Sequence, residues 1–156
     1  MDGEERWGEK LSIVLSKKTL KLEQEFDVSL IGIASSLKDY KIAHFISKIL
    51  NQDFIKQLDL EWKHPKQDKP QYFSNYRISI IENDDSIVLI HNRDLGIHFL
   101  PSLKEFDYIL LWNPSISTEE LGDYLSRIKN MPEILEASRI QISWIKELDR
   151  LNWFLS

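Results

Sequence analysis

With 156 residues, 42% of them hydrophobic and five of them tryptophan, the chain can bury a sizeable core and lacks the low hydrophobicity of a disordered segment. It has no cysteine, which removes disulfides, thiolate nucleophiles and thiolate metal sites together, and its 25 acidic against 20 basic residues give a net charge of −5 that disfavours DNA. No apolar run approaches the roughly 20 residues needed to cross a bilayer, and the start MDGEERWGEKLSIVL is acidic where a secretory leader is basic, so a soluble cytoplasmic protein away from membranes is expected.

Residues 1–10 hold six charged side chains and two glycines, the composition of a flexible tail, which leaves residues 11–156 for one α+β domain. Leu20 and Leu22 alternate with Thr19, Lys21 and Glu23 as in a half-buried strand. EFDVSLIGIASS then sets Phe26, Val28 and Leu30 on one side and Ile31 and Ile33 on the other, with Gly32 marking a bulge or a close backbone approach. Ser36, three residues before Asp39, resembles a capping box and predicts a helix to about Leu50. Its apolar stripe is Ile42, Phe45, Ile46, Ile49 and Leu50, with Lys41, His44, Ser47 and Lys48 opposite.

Residues 51–70 are less regular, with a strand candidate over 58–62 and an exposed loop at KHPKQDKP. Beyond it Tyr76, Ile78 and Ile80 alternate with Asn75, Arg77 and Ser79; ENDDS turns, SIVLIH returns as a strand, and NRDLG turns again. A short extension over 97–100 stops at Pro101, which removes a ladder donor. In residues 100–112, LPSLKEFDYILLW, Phe106, Tyr108, Leu110 and Trp112 alternate with Asp107, Ile109 and Leu111. Both sets are largely apolar, so this strand needs cover above and below and belongs in the middle of a sheet.

The second helix begins at another capping box, Ser117 with Glu120, and carries Leu121, Tyr124, Leu125 and Ile128 on one face. After Pro132, the alternation of Ile140, Ile142 and Trp144 predicts a last strand, and Leu148, Leu151 and Leu155 predict a short C-terminal helix. The expected fold is α+β: a central antiparallel meander of three or four strands with two main helices packed on it.

LPSLKEFDY resembles the signature of the IPExxxVDY proteins, a family of uncharacterised bacterial proteins. Pro101, Asp107 and Tyr108 match named positions, Leu100 and Phe106 are apolar substitutes for the first and seventh, and Ser102 replaces the glutamate. LIGIASSLKDYKIAHFISKIL is similar to the strand-to-helix segment near the start of such proteins, and the likeness runs from about Lys18 to the C-terminus. It implies no activity, substrate or catalytic residue.

The residues themselves offer no catalytic constellation, and no metal or cofactor is assigned. The motif residues Leu100, Pro101, Asp107 and Tyr108 are read as structural. A carboxylate on a covered face needs a partner, which Arg93 or a backbone amide near the Pro101 turn would supply. The functional alternative for Asp107 is a general acid or base assisted by Glu105 or Glu82. His44, His64, His91 and His98 lack the spacing of a helical metal site, and residues 32–35 lack the glycines and lysine of a phosphate-binding loop.

Lys63, Lys66, Lys69 and Tyr72, next to Trp62, Phe73 and Tyr76, would suit RNA if they joined the lysine face of the first helix. Trp144, Trp153 and Phe154 are candidate interface residues, since exposed aromatics mark docking surfaces. The leading expectation is a non-enzymatic adaptor that binds a protein partner or a second copy of itself. An RNA-associated accessory protein is the first alternative. A small-molecule sensor or enzyme, with an enclosed pocket near Asp107, Tyr108 or His98, is the second.

Overall fold

The computed structural model describes residues 26–80 and 82–155. The expected tail over 1–10 and the strand pattern at Leu20 and Leu22 lie outside the described residues. In chain order the elements are β1 (Ser29–Ala34), α1 (Asp39–Leu50), β2 (Ile55–Lys56), β3 (Leu60–Trp62), β4 (Gln71–Phe73), β5 (Asn75–Ile80) and β6 (Asp85–His91). They continue with β7 (Arg93–Asp94), β8 (Ile97–His98), β9 (Tyr108–Asn113), α2 (Thr118–Lys129), β10 (Glu136–Ile140) and α3 (Leu148–Leu151).

The two apolar faces of β9 find the cover they require. It lies inside a six-stranded antiparallel sheet of order β10-β1-β9-β6-β5-β2, with β3–β4 and β7–β8 as separate hairpins. β5, β6 and β9 are the expected meander, and β1 inserts beside β9, pairing Ile31 with Leu110 and Ile33 with Tyr108. Tyr108, Leu110 and Trp112 join a core layer under α1 and α2, which contribute Ile42, Ile46, Leu121 and Ile128. Ile109 and Leu111 join a second layer beneath Phe73 of β4, the 99–106 loop and the C-terminal segment of Leu151 and Phe154.

Phe106 belongs to this second layer and not, as the alternation predicts, beside Tyr108. Strand pairing begins only at Tyr108; Phe106 is still in a turn, its amide donating to the Leu103 carbonyl at 3.0 Å. There it lies against Gly32. A Cβ at Gly32 would stand 2.5 Å from Phe106 Cγ and 2.8 Å from Ile140 Cδ1, which makes the glycine the close approach its position suggested.

Both helices occur where the stripes place them. Ser117 Oγ accepts from the Glu120 amide at 3.1 Å, as the capping box requires. The expected Ser36 cap does not form. α1 is preceded by Lys38 with no side-chain cap, and it is Ser35 whose Oγ accepts from the Leu37 amide at 3.2 Å. The strand candidate over 58–62 shortens to β3, and the last strand ends at Ile140. Ile142 and Trp144 fall in a 3-10 turn, Ile142–Trp144, because the chain leaves the sheet edge to bury Ile142 and Ile145 on the second face. The expected terminal helix is α3, followed by a 3-10 turn at Asn152–Phe154.

Replacing Gly32 by alanine should destabilise the fold by about 2 kcal/mol, because the added methyl overpacks the Phe106 contact. Adding Phe106→Leu to Gly32→Ala should recover part of that loss. Urea denaturation of the two variants measures both, and wild-type stability of Gly32→Ala alone would contradict the contact.

Candidate functional site

The site is assembled from the loop that leads into β9. Asn92, directly after β6, is wholly buried, and its side chain is saturated by that loop. Its Nδ2 donates to the carbonyls of Leu103 at 3.0 Å and Phe106 at 3.1 Å, while Oδ1 accepts from the Leu100 amide at 2.7 Å. The Asn92 backbone N–H donates to the Asp107 carbonyl at 2.8 Å, next to the Phe106 carbonyl that the side chain holds.

Asp107 then reaches across to the start of the chain. Its Oδ2 accepts from the Ser35 amide at 2.9 Å, and Oδ1 pairs with the half-exposed Arg93. The Tyr108 hydroxyl donates to the Leu37 carbonyl. Asp107 and Tyr108 thereby clamp residues 35–37, the connection between β1 and α1. Arg93 is the partner expected from the sequence; the amide comes from Ser35 instead of the Pro101 turn. Leu100 is buried and Pro101 is exposed at the head of a 3-10 turn, where Ser102 Oγ donates to Glu147 at 2.9 Å and ties down the C-terminal segment.

With that connection held, Asp39, the first residue of α1, comes beside Ser74, Tyr76 and His91. Ser74, His91 and Tyr108 form a row there: the His91 amide donates to the Ser74 carbonyl at 2.9 Å, and His91 faces Tyr108 across β6 and β9. The imidazole stacks on the Tyr108 ring with centroids 4.7 Å apart and planes 15° from parallel. Burial raises the Asp39 carboxyl, but the Ser74 hydroxyl, the Tyr40 amide, the Tyr76 hydroxyl and His91 outweigh it and hold the group below the usual carboxylate value. Burial lowers His91 by more than the neighbouring Asp39 charge raises it. Burial and then Asp39 push Tyr76 up to about 12, and burial with the charges of Asp39 and Asp107 drives Tyr108 above the ordinary phenol range. At neutral pH the cluster holds a carboxylate, a neutral imidazole and two protonated phenols.

Ser74, His91 and Tyr108 line an open groove of about 560 Å³, with Lys38, Tyr72 and Asp94 among its other walls. Ser74 Oγ is buried beside the Asp39 carboxyl that it helps to hold low. A second groove, about 660 Å³, shares Asp59 with the first and is flanked by Leu58, Lys63, Arg77 and Trp153. Leu58 is 93% exposed and Trp153 61%.

Of the expected interface residues, Trp144 and Trp153 are exposed and Phe154 is not. The 3-10 turn directs Trp153 outward and Phe154 inward, edge-on to Phe99 at 6.0 Å, and Arg77 donates to the Phe154 carbonyl at 3.0 Å. Lys63, Lys66 and Lys69 are exposed in the β3–β4 loop beside the half-exposed Tyr72. The basic and aromatic face does not assemble: Phe73 is buried, Trp62 is covered by the Arg150 guanidinium at 4.2 Å, and Tyr76 with the α1 lysines belongs to the opposite side of the sheet. Among the described residues no group of three His, Asp or Glu side chains is arranged to hold a metal, and no helix is long and apolar enough to cross a membrane.

Compared with protein-family models, with curated proteins and with solved structures, the chain matches none. Sequence reasoning missed Asn92, Asp39 and Ser74. His91 carried a readable signal, since it shares the register of the inward-facing Ile87 and Leu89.

The sign of the pH dependence follows from His91. Its folded pKa lies below 6.5, so the unfolded chain binds more protons in that window and stability falls as pH drops through it. Asp39, held below 3.8, adds loss in the same direction only in stronger acid. Replacing His91 by glutamine should flatten the decline between about pH 7 and 5.5 in urea unfolding, and an unchanged decline would contradict the assignment.

Proposed function

We propose that the protein is a non-enzymatic binding module that docks a segment of a partner protein against Leu58 and Trp153. The observation that carries this reading is the exposure of two large apolar side chains on one groove, 93% for Leu58 and 61% for Trp153. Exposed apolar surface rimmed by polar groups favours association, and Glu61, Lys63 and Arg77 supply that rim. The buried Phe154 and the Arg77 bond to its carbonyl fix the turn that presents Trp153, so little ordering remains to oppose binding. Tryptophan on a rigid support is a frequent binding hot spot.

A cytoplasmic setting fits the cysteine-free chain. The likeness to the IPExxxVDY proteins implies no activity that would compete with this reading, and its matched residues Asp107 and Tyr108 are engaged in holding residues 35–37. An RNA-associated role is less favoured, since its lysines and aromatics lie on separate surfaces.

The test is capture from host lysate, with and without ribonuclease, using the tagged wild-type protein and the Leu58→Ser, Trp153→Ala double variant. Both changes are at the surface and should leave stability within about 0.5 kcal/mol. A nuclease-resistant partner should be captured by the wild type and lost by about tenfold or more in the variant, the effect of removing a hot spot. Equal capture by both proteins would overturn the reading, and nuclease-sensitive capture would favour RNA. Concentration-dependent mass by light scattering, abolished in the same variant, would identify the partner as a second copy.

A further inference from the structure

The first helix carries a charged face that neither the clamp nor the docking surface uses. α1 buries Ile42, Ala43, Ile46 and Leu50, and Lys41, His44 and Lys48 follow one another at helical spacing on the opposite side, all exposed. Lys38 stands at the head of this ridge and is exposed as well. Asp39 is the one acidic residue of the helix, and its carboxyl is engaged with Ser74, Tyr76 and His91. Among the described residues Lys38, Lys41 and Lys48 form no ion pair.

Helix stability does not account for these lysines. A helix N-terminus favours a Ser, Thr, Asp or Asn cap and acidic residues in the first turn, because its free amides carry positive potential. Lys38 occupies the cap position without a side-chain bond and Lys41 lies in the first turn, so both stand where a cation opposes the helix dipole. An anion brought to the ridge is attracted by the lysines and the dipole together. We infer that the outer face of α1 docks a short acidic segment of a partner protein.

The size of the ridge selects this class of partner. From Lys41 to Lys48 it runs about 10 Å at 1.5 Å per residue. Backbone recognition of a nucleic acid rests on many phosphate contacts, and a long polyanion would run on over a chain whose net charge is −5. A polybasic membrane site gathers roughly 4–8 lysines and arginines, more than this ridge holds. A short acidic segment places its charges on the ridge alone. Tyr40, 55% exposed, and the half-buried Phe45 flank the lysines and offer such a segment apolar surface beside the charge. α1 lies on the face of the sheet opposite the C-terminal segment that carries Trp153, so both surfaces can be occupied at once.

The inference is tested by fluorescence anisotropy of the whole protein with a labelled acidic peptide, acetyl-DEEFDEE-amide, and its lysine counterpart, acetyl-KKKFKKK-amide, at about 50 mM salt. The acidic peptide alone is expected to bind saturably, and more weakly as added salt screens the ridge. The Lys38→Asp, Lys41→Glu variant should lose it by about tenfold or more, while its thermal unfolding midpoint stays level or rises because the changes build a capping box. Lys41→Glu, Lys48→Glu, which leaves the cap untouched, should lose the peptide likewise. Lys66→Glu, Lys69→Glu alters the net charge equally but on the β3–β4 loop, and should bind within about twofold of wild type. Trp153→Ala should bind as wild type, which separates this face from the docking surface. No binding of the acidic peptide, equal binding of the lysine peptide, or equal loss in the loop variant would overturn the inference. Tighter binding of oligouridylate or of phosphatidylserine vesicles, lost in Lys41→Glu, Lys48→Glu, would overturn it in favour of RNA or a membrane.

Discussion

The buried side-chain amide of Asn92 decides how the chain returns to the middle of the sheet. Residues 99–106 turn sharply, outside any ladder, and several of their backbone groups are buried with the loop. Left unpaired, each such group would cost about 1–3 kcal/mol. One asparagine supplies donors for the Leu103 and Phe106 carbonyls and an acceptor for the Leu100 amide. Aspartate would offer no donors there, and glutamine would reach one methylene too far. The amide is thus a geometric constraint, and the direction in which β9 starts depends on it.

From that constraint the rest follows in steps. Because the side-chain amide fixes the Phe106 carbonyl, and the Asn92 backbone N–H the Asp107 carbonyl next to it, the Asp107 and Tyr108 side chains reach the Ser35 amide and the Leu37 carbonyl just beyond the end of β1. Those bonds hold a connection that lacks the expected serine cap, and they place the first turn of α1 above the end of the sheet. Asp39 consequently meets Ser74, Tyr76 and His91 in a half-buried setting, where burial and neighbouring charge displace their protonation. On the other face, Ser102 and Arg77 tie down the C-terminal segment, which buries Phe154 and leaves Trp153 outside. Polar groove and apolar surface are two consequences of how one sheet is finished at its ends.

Much of this was legible in the sequence where the physics is local or periodic. Two apolar faces placed β9 inside a sheet, the Ser117 box and its stripe located α2, and Gly32 announced a close approach before Phe106 was known to make it. Arg93 was a natural partner for Asp107 because a carboxylate on a covered face needs one. The failures share a cause. Phe106 broke the alternation because alternation holds only where a strand is paired. Ser36 gave a plausible cap, but residues 35–37 take their shape from Asp107 and Tyr108, more than seventy residues away. Asn92 read as a turn residue, since nothing local shows that a side chain will bond carbonyls 11 and 14 residues further on. In the same way, neighbouring aromatics in a 3-10 turn gave no sign that Phe154 would be buried and Trp153 exposed.

Amide hydrogen exchange in an Asn92→Ala protein tests the positioning chain most directly, with the Leu110 and Leu111 amides of the central strand as the reference for global opening. The account predicts that exchange accelerates in residues 99–106 and, by about tenfold or more, at the Ser35 amide that Asp107 holds at the end of β1. A loosened 99–106 loop with wild-type protection at Ser35 would contradict it, because the connection leading to α1 would then be held without Asn92.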